Sequence, residues 1–322
     1  MDIYTSNLGS YFHTHIKIEN GKKNKTILEI KKLLEFLSLL PQGKIMLEFT
    51  AKQCIITSQK SRGVFPLLPS EDFPLPSQPQ DKEQVLETAF FEKNLPLVLF
   101  AASKDEARPV LTGVNFLTGD NLSMVSTDGF RLSYLKTKKN INIPSIIIPG
   151  QFLLEVIGAA KGEKTMKFSY SEKEKMVLFT VKDMEFYSRL IEGEFPSFEK
   201  VIPTEVKTSA TTDVEELTRS IKMASVFARD FSNIVILHFF KNTISIAPKG
   251  EQGEESSSTI EADSAGEEIR VAFNFRFLLD FLGHIPTKKV LIQLLRTDSP
   301  AVFKMPGDED YLHIIMPVRI QE

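Results

Sequence analysis

Two histidines in "FHTHIK", His13 and His15, point to one face of a strand, a spacing at which imidazoles can share a metal with a nearby carboxylate. No third ligand stands at a suitable spacing, so a surface or structural pair is the expectation. Asp128, Asp213 and Asp280 lack the second carboxylate that paired acid–base chemistry would need. No GxxxxGK, GxSxG or HExxH pattern occurs. The single cysteine, Cys54, excludes an internal disulfide and any CxxC knuckle. These residues imply no catalysis, no metal and no cofactor.

Length suggests about two domains for 322 residues, and a formal charge of -3 argues against a generally basic protein. It leaves room for a locally basic face on an acidic body. No run of about 18 apolar residues is present, and the start "MDIYTSNLGS" lacks the basic-then-apolar layout of a secretion signal. The expectation is a cytoplasmic chain with no membrane partner.

The elements that would position any site repeat. "LLEFL" begins at Leu33, "LLEVI" at Leu153 and "LLDFL" at Leu278, intervals of 120 and 125 residues. Each is followed by a break, two strand-like runs and a proline pair: Phe73-Pro74, Phe195-Pro196 and Met316-Pro317. Leucine-to-proline distances of 41, 43 and 39 residues keep the landmarks in step. The chain thus divides into units 1–80, 81–202 and 203–322. The straps "FPLLPSEDFPLPSQPQDKE" and "EFPSFEKVIPTEV" connect them, extended by their prolines.

Each unit reads as α+β. In the first, Ile27, Ile30, Leu34 and Leu37 mark a helix face, with a capping box from Thr26 to Glu29. Pro149 suits the first turn of the matching helix in the second unit, and Asn274 suits the N-cap in the third. Strands follow in "KIMLEFTAKQCIITS", "TMKFSYSEKEKMVLFTV" and "KVLIQLLRTDSPAVFKM". An additional helix is expected upstream in unit three, with Val214, Leu217, Ile221 and Ala224 inward, and near 88–109 in unit two. Unit one has room for neither that helix nor one or two strands, and it reads as shortened at its start.

Five segments, "RPVLTGV", "STDGFRLS", "LIEGEFPSFEKVIP", "FNFRFLLDFL" and "YLHIIMPVR", stand in the order and spacing of a known family. The chain resembles the bacterial sliding clamps, the β subunits of DNA polymerase III. The resemblance implies three DNA-clamp domains with helices on the inner face and antiparallel sheets outside, and two chains closing head to tail as a ring. It implies a non-catalytic processivity factor that encircles duplex DNA without sequence specificity. Its partners would be the polymerase III catalytic subunit, the clamp loader, and other polymerases and repair proteins bearing short linear motifs.

For DNA the resemblance implies basic inward helix faces, since phosphate contacts position a duplex without reading it. The residues are Lys31, Lys32, Lys93, Lys104, Arg108, Lys161, Arg219, Lys222, Arg229 and Arg276, with Arg108 foremost. Matching positions imply a groove for partner peptides with a QLxLF-like motif. One wall is Leu111, Thr127, Gly129, Phe130, Arg131 and Leu132, and the strap adds Pro196, Lys200 and Val201. Phe231, Asn274, Phe277, Ile314, Met316, Pro317, Val318 and Arg319 complete it. Phe130 stands where the family commonly has histidine, Lys200 where it has arginine, and Gln321 and Glu322 extend past the usual end. Phe65 and Val226 fall at matching dimer-edge positions, with Gly63 where a bulky apolar residue is common. A repeat-built scaffold that never encircles DNA is the competing reading.

Overall fold

The computed structural model describes residues 1–69, 73–76, 83–138, 143–229, 232–250 and 256–319. It divides into two compact units, Met1–Gln78 and Pro79–Glu322. Among the described residues no helix is long and apolar enough to cross a membrane.

The first unit contains the hairpin β1 (Asp2–Ser6) and β2 (Ser10–His15), then α1 (Ile30–Ser38). An antiparallel sheet β3 (Met46–Phe49), β4 (Gln53–Ser58) and β5 (Ser61–Pro66) follows, with β4 central. Its core is small: Cys54, Ile56 and Phe65 are buried, and α1 lays Leu33, Phe36 and Leu37 over them. Two sequence expectations are corrected here. Ile30 and Leu34 face outward, Leu34 being 59% exposed, because the sheet takes the neighbouring stripe that begins at Leu33. Nor does the capping box form: the N-cap is Glu29, and its side chain makes no capping hydrogen bond.

The larger unit holds two fuller copies of the same plan. The central one runs β6 (Gln84–Glu87), α2 (Thr88–Asn94), α3 (Pro96–Leu99), β7 (Gly113–Thr118), β8 (Leu122–Thr127), β9 (Arg131–Lys136), β10 (Ile146–Pro149), α4 (Gly150–Ala160), β11 (Thr165–Ser171), β12 (Met176–Val181) and β13 (Met184–Arg189). The upstream helix breaks at Pro96, which cannot donate a backbone N–H within a helix and instead opens α3. Pro149 is the N-cap of α4, one place before the first turn expected for it.

The C-terminal copy runs β14 (Thr208–Asp213), α5 (Val214–Ala228), β15 (Ile234–Phe240), β16 (Thr243–Pro248), β17 (Ser258–Gly266), β18 (Ile269–Asn274), α6 (Phe275–Leu282), β19 (Lys289–Leu294), β20 (Ala301–Lys304) and β21 (Tyr311–Ile315). Asp213 caps α5 by accepting from the amides of Glu215 (2.9 Å) and Glu216 (3.0 Å). Leu217, Ile221 and Ala224 are buried as the periodicity predicts, while Val214 is only partly covered. Asn274 caps α6 through the Arg276 amide at 3.0 Å.

Strands β6, β11, β12 and β13 form an antiparallel sheet in the order β6-β11-β12-β13. A twelve-stranded sheet runs β10-β7-β8-β9-β21-β20-β19-β14-β17-β16-β15-β18. Its join between the central and C-terminal copies is the antiparallel pair β9–β21, with Arg131 opposite Ile315 and Leu135 opposite Tyr311. The straps repeat one bond in all three copies. Leu68 donates to the carbonyl of Ile27 (2.9 Å), Ile191 to Ile147 (3.0 Å) and Val318 to Ala272 (2.8 Å). Each acceptor lies six positions before Leu33, Leu153 or Leu278, so the chain entering or forming each strap is tied back onto the segment that feeds the helix.

Candidate functional site

Three pieces of chain converge beside the β9–β21 join. The first is the Asp128-Gly129 turn. Asp128 Oδ1 accepts from the amides of Phe130 (2.9 Å) and Arg131 (3.0 Å). Thr127 Oγ1 donates to the Arg131 carbonyl (2.6 Å) and accepts from the Gly129 amide (3.0 Å). Gly129 has φ +92°, which favours glycine, and a Cβ there would also approach Arg108 Nη1 to 3.3 Å. The second piece is the C-terminal strap, joined to the turn where Met316 N–H donates to the Phe130 carbonyl at 2.8 Å. The third is the first turns of α6, where Phe277 stacks on Phe130 with centroids 6.4 Å apart.

Arg131 links them. It is only 9% exposed, and its Nε and Nη1 donate to Asp128 (3.0 Å) and Asp280 (2.7 Å). Its guanidinium lies 4.7 Å from the Phe277 ring centroid and 5.6 Å from that of Phe100. Beneath it His313 is fully buried, stacked on Phe281 at 4.9 Å and hydrogen-bonded through Nδ1 to Ser133 Oγ at 2.7 Å. Burial first, then the nearby Arg131 and His284, hold the His313 pKa well below the ordinary histidine value. Tyr311 donates its buried hydroxyl to the Leu97 carbonyl (3.1 Å), and burial above all pushes that phenol upward. Phe100, His284 and His313 escaped the sequence reading, which took Asp280 only as a carboxylate without a second one beside it. Asp280 is the acid of the repeated LLDFL, where Glu35 and Glu155 occupy the matching exposed positions.

The other groove candidates divide by burial. Phe130 is 58% exposed, Pro196, Lys200, Val201 and Arg319 are exposed, and Phe277, Met316, Pro317 and Val318 are half-buried. Leu111, Leu132 and Ile314 are buried, the latter two under Phe198 of the strap, which rests on Tyr134 at 5.5 Å. Leu111, Leu132 and Ile314 therefore support the wall from within. Asn274 is occupied as a cap, and Phe231 lies outside the described residues, as do Gln321 and Glu322.

All ten basic candidates are exposed: Lys31, Lys32, Lys93, Lys104, Arg108, Lys161, Arg219, Lys222, Arg229 and Arg276. Lys32 pairs with Glu29 at 3.1 Å and Arg108 with Asp105 at 3.8 Å. Of the two edge candidates, Phe65 is turned inward against Phe36, with centroids 5.5 Å apart. A Cβ at Gly63 would come within 2.8 Å of the same Phe36 ring, so a bulky residue has no room there. Val226 is 55% exposed and shares the outer face of α5 with Met223 and Phe227.

His13 and His15 both reach one oxygen of Asp2, at 3.3 and 3.1 Å, and His13 also stacks on Tyr4. Hydrogen bonds from His15 first and His13 second hold the Asp2 carboxyl below its ordinary value. No group of three or more such side chains is placed to hold a metal among the described residues.

Comparison with known proteins extends these observations. Family models described as DNA polymerase III beta subunit match twice, the central domain over residues 85–197 and the C-terminal domain over 199–319. A "Beta sliding clamp" of Synechocystis is 28% identical over 326 residues, covering 93% of this chain and 83% of that protein. One from Streptococcus pneumoniae is 29% identical over 303 residues, covering 91% and 80%. The crystal structure of the Streptococcus pneumoniae DNA polymerase III beta chain superposes with TM-score 0.87 at 27% identity, covering 99% of this chain and 89% of that one. The Thermotoga maritima beta subunit has the same fold, with TM-score 0.89 at 24% identity over 99% and 88% of the two chains. The repeated architecture and these matches agree: the chain belongs to the DNA polymerase III β-subunit family, the bacterial sliding clamps, which are non-catalytic processivity factors.

Proposed function

We propose that two copies of this sliding clamp close head to tail around duplex DNA, and that the groove beside the β9–β21 join receives short tails of the polymerase and other replication proteins. The domains of that ring are 1–80, 81–202 and 203–322, and the cytoplasm is its place of work. The observation that carries the reading is the convergence of the 127–131 hairpin, α6 and the 316–318 strap around half-buried apolar side chains. A segment of a few residues needs such pockets and accessible backbone to bind and leave reversibly. Met316 and Phe277 give the groove an adaptable apolar lining.

Exposed lysines and arginines on α1, α2, α5 and α6 support a sequence-independent hold on phosphates, strong enough to retain DNA and weak enough to glide. Ring closure draws on the apolar face Met223, Val226 and Phe227 of α5 and on the exposed Val64 of β5. With Phe65 turned inward, β5 offers a neighbour its backbone and Val64.

The decisive experiment compares retention on circular and linear DNA after loading. A closed ring stays on the circle and slides off the free ends. Replacing Lys31, Lys32, Arg108 and Arg219 with serine should weaken retention and flatten its salt dependence. Equal loss from circle and line would favour a scaffold that does not encircle DNA. For the groove, the paired change Met316→Ala with Pro317→Ala should weaken a QLxLF-type peptide that otherwise binds at micromolar strength, about −8 kcal/mol.

A further inference from the structure

Arg131, the cationic side chain of the hairpin itself, points away from the use its charge suggests. An exposed arginine beside a peptide site would attract the acidic residues of a partner tail, since a guanidinium pairs with carboxylates in a bidentate fork. Here its Nε and Nη1 are already taken, by Asp128 at 3.0 Å and Asp280 at 2.7 Å. Two carboxylates more than offset one positive charge. The flat face of the guanidinium is stacked on Phe277, and the residue is 9% exposed. What the hairpin shows to solvent is instead Phe130, lying over the same Phe277 ring.

Asp280 and Asp128 attach to different elements, which gives the bridge a mechanical role. Asp128 belongs to the turn itself, where its other oxygen already closes the loop on the amides of Phe130 and Arg131. Asp280 belongs to α6, in the C-terminal copy. Arg131 thereby fixes the tip of a hairpin from one copy against a helix from the next. The Phe130 carbonyl is fixed in turn by Met316.

We propose that Asp280 holds Arg131 as a positioning residue, so that the hairpin meets a partner segment with the Phe130–Phe277 ring pair and selects an apolar or aromatic side chain there. This rests on the groove reading above. The separation of Phe130 from Phe277 sets the space for the incoming side chain, and the Asp280–Arg131 bond sets that separation. Asp280 is itself half exposed, so altering it need not disturb the core.

The test uses the full chain and two fluorescein-labelled peptides, Gln-Leu-Ser-Leu-Phe and its acidic twin Gln-Leu-Asp-Leu-Phe. Asp280→Asn should weaken both by about the same factor, roughly fivefold, a fraction of the strength of a charge-assisted bond because the pair is partly solvated. Asp280→Glu should restore most of the loss. Unchanged affinity in Asp280→Asn would overturn the proposal. So would selective tightening of the acidic peptide, which would make the freed Arg131 a direct ligand. A loss that tracks a lowered thermal midpoint and is not restored by Asp280→Glu would also overturn it, as plain destabilisation. The paired change Met316→Ala with Pro317→Ala separates the two ideas. If it leaves binding intact the groove itself is misassigned; if it weakens binding while Asp280→Asn does not, only the positioning role fails.

Discussion

Helices α1 and α6 carry nearly the same motif, "KKLLEFL" and "RFLLDFL", yet they sit in their surroundings very differently. Helix α6 buries Phe275, Leu278, Phe281 and Leu282, is capped by Asn274, and packs against α5. Helix α1 has no fully buried residue, its N-cap side chain makes no capping hydrogen bond, and no second helix stands beside it among the described residues of Met1–Gln78. Its outward Ile30 and Leu34 remain in solvent. The motif supplies an apolar face, but burial depends on what the fold places opposite that face. Amphipathic helices draw most of their stability from such packing and little from propensity.

This contrast is sharpest in the repeated leucine. Leu278→Ala should destabilise the C-terminal copy by about 3–4 kcal/mol, the cost of a cavity in a closed core. Leu33→Ala, half-buried over a smaller core, should cost about 1–2 kcal/mol. Amide-exchange protection, read separately in the two helices during urea unfolding, distinguishes the sites. Equal losses would break the comparison.

Acid should divide the two regions next. The folded-state pKa of His313 is depressed, so the unfolded chain binds the extra proton first. Its neutral burial is fully tolerated above the unfolded value near 6.5 and opposes folding progressively below it, by up to about 1.4 kcal/mol per pH unit until the folded pKa is reached. Asp2 in the first unit is also depressed, but as a carboxylate its contribution is present above its unfolded value and is lost only as pH falls through the carboxylate range. Between pH 7 and 5 the C-terminal copy should therefore lose stability before the Asp2 contacts do. A His313→Gln variant whose pH profile matched the parent would contradict this.

The caps give a smaller and more local contrast. Asn274→Ala should cost about 1 kcal/mol, whereas Glu29→Ala should change stability by only a few tenths of a kcal/mol. Glu29→Asp, with a shorter carboxylate able to reach the first-turn amides, should stabilise α1 by about 0.5–1 kcal/mol in thermal unfolding. The smallest effect belongs to the outward stripe. Ile30→Lys with Leu34→Lys should shift stability by no more than about 0.5 kcal/mol, because neither side chain leaves a core. A large loss there would mean that α1 buries this face under solution conditions.

Much of this was legible before any coordinates. The pitch of the repeat, the strand pairs after each helix, the inward Leu217, Ile221 and Ala224 of α5, and the Asn274 cap follow from local spacing and propensity. The Asp128-Gly129 turn was readable because few residues tolerate the backbone it needs. The phase of α1 was not, since the stripes beginning at Ile27 and at Leu33 both satisfy helical spacing and only the sheet chooses between them. Resemblance to the family puts Phe65 at a dimer edge, yet the side of the strand it occupies depends on where Phe36 lies. Asp280 has the look of Glu35 and Glu155 until a hairpin almost 150 residues away delivers Arg131 to it.

Sequence alone determined the threefold plan, the α+β class of each copy and the family, because these rest on periodicity and on residues near one another in the chain. Tertiary structure alone decided which faces are buried and which charges are neutralised: the β9–β21 join, Arg131 held between two carboxylates, and His313 kept dry beneath it. The reason is physical. Burial and ion pairing depend on distances through space, and between elements far apart in the chain those distances are set only when the copies dock.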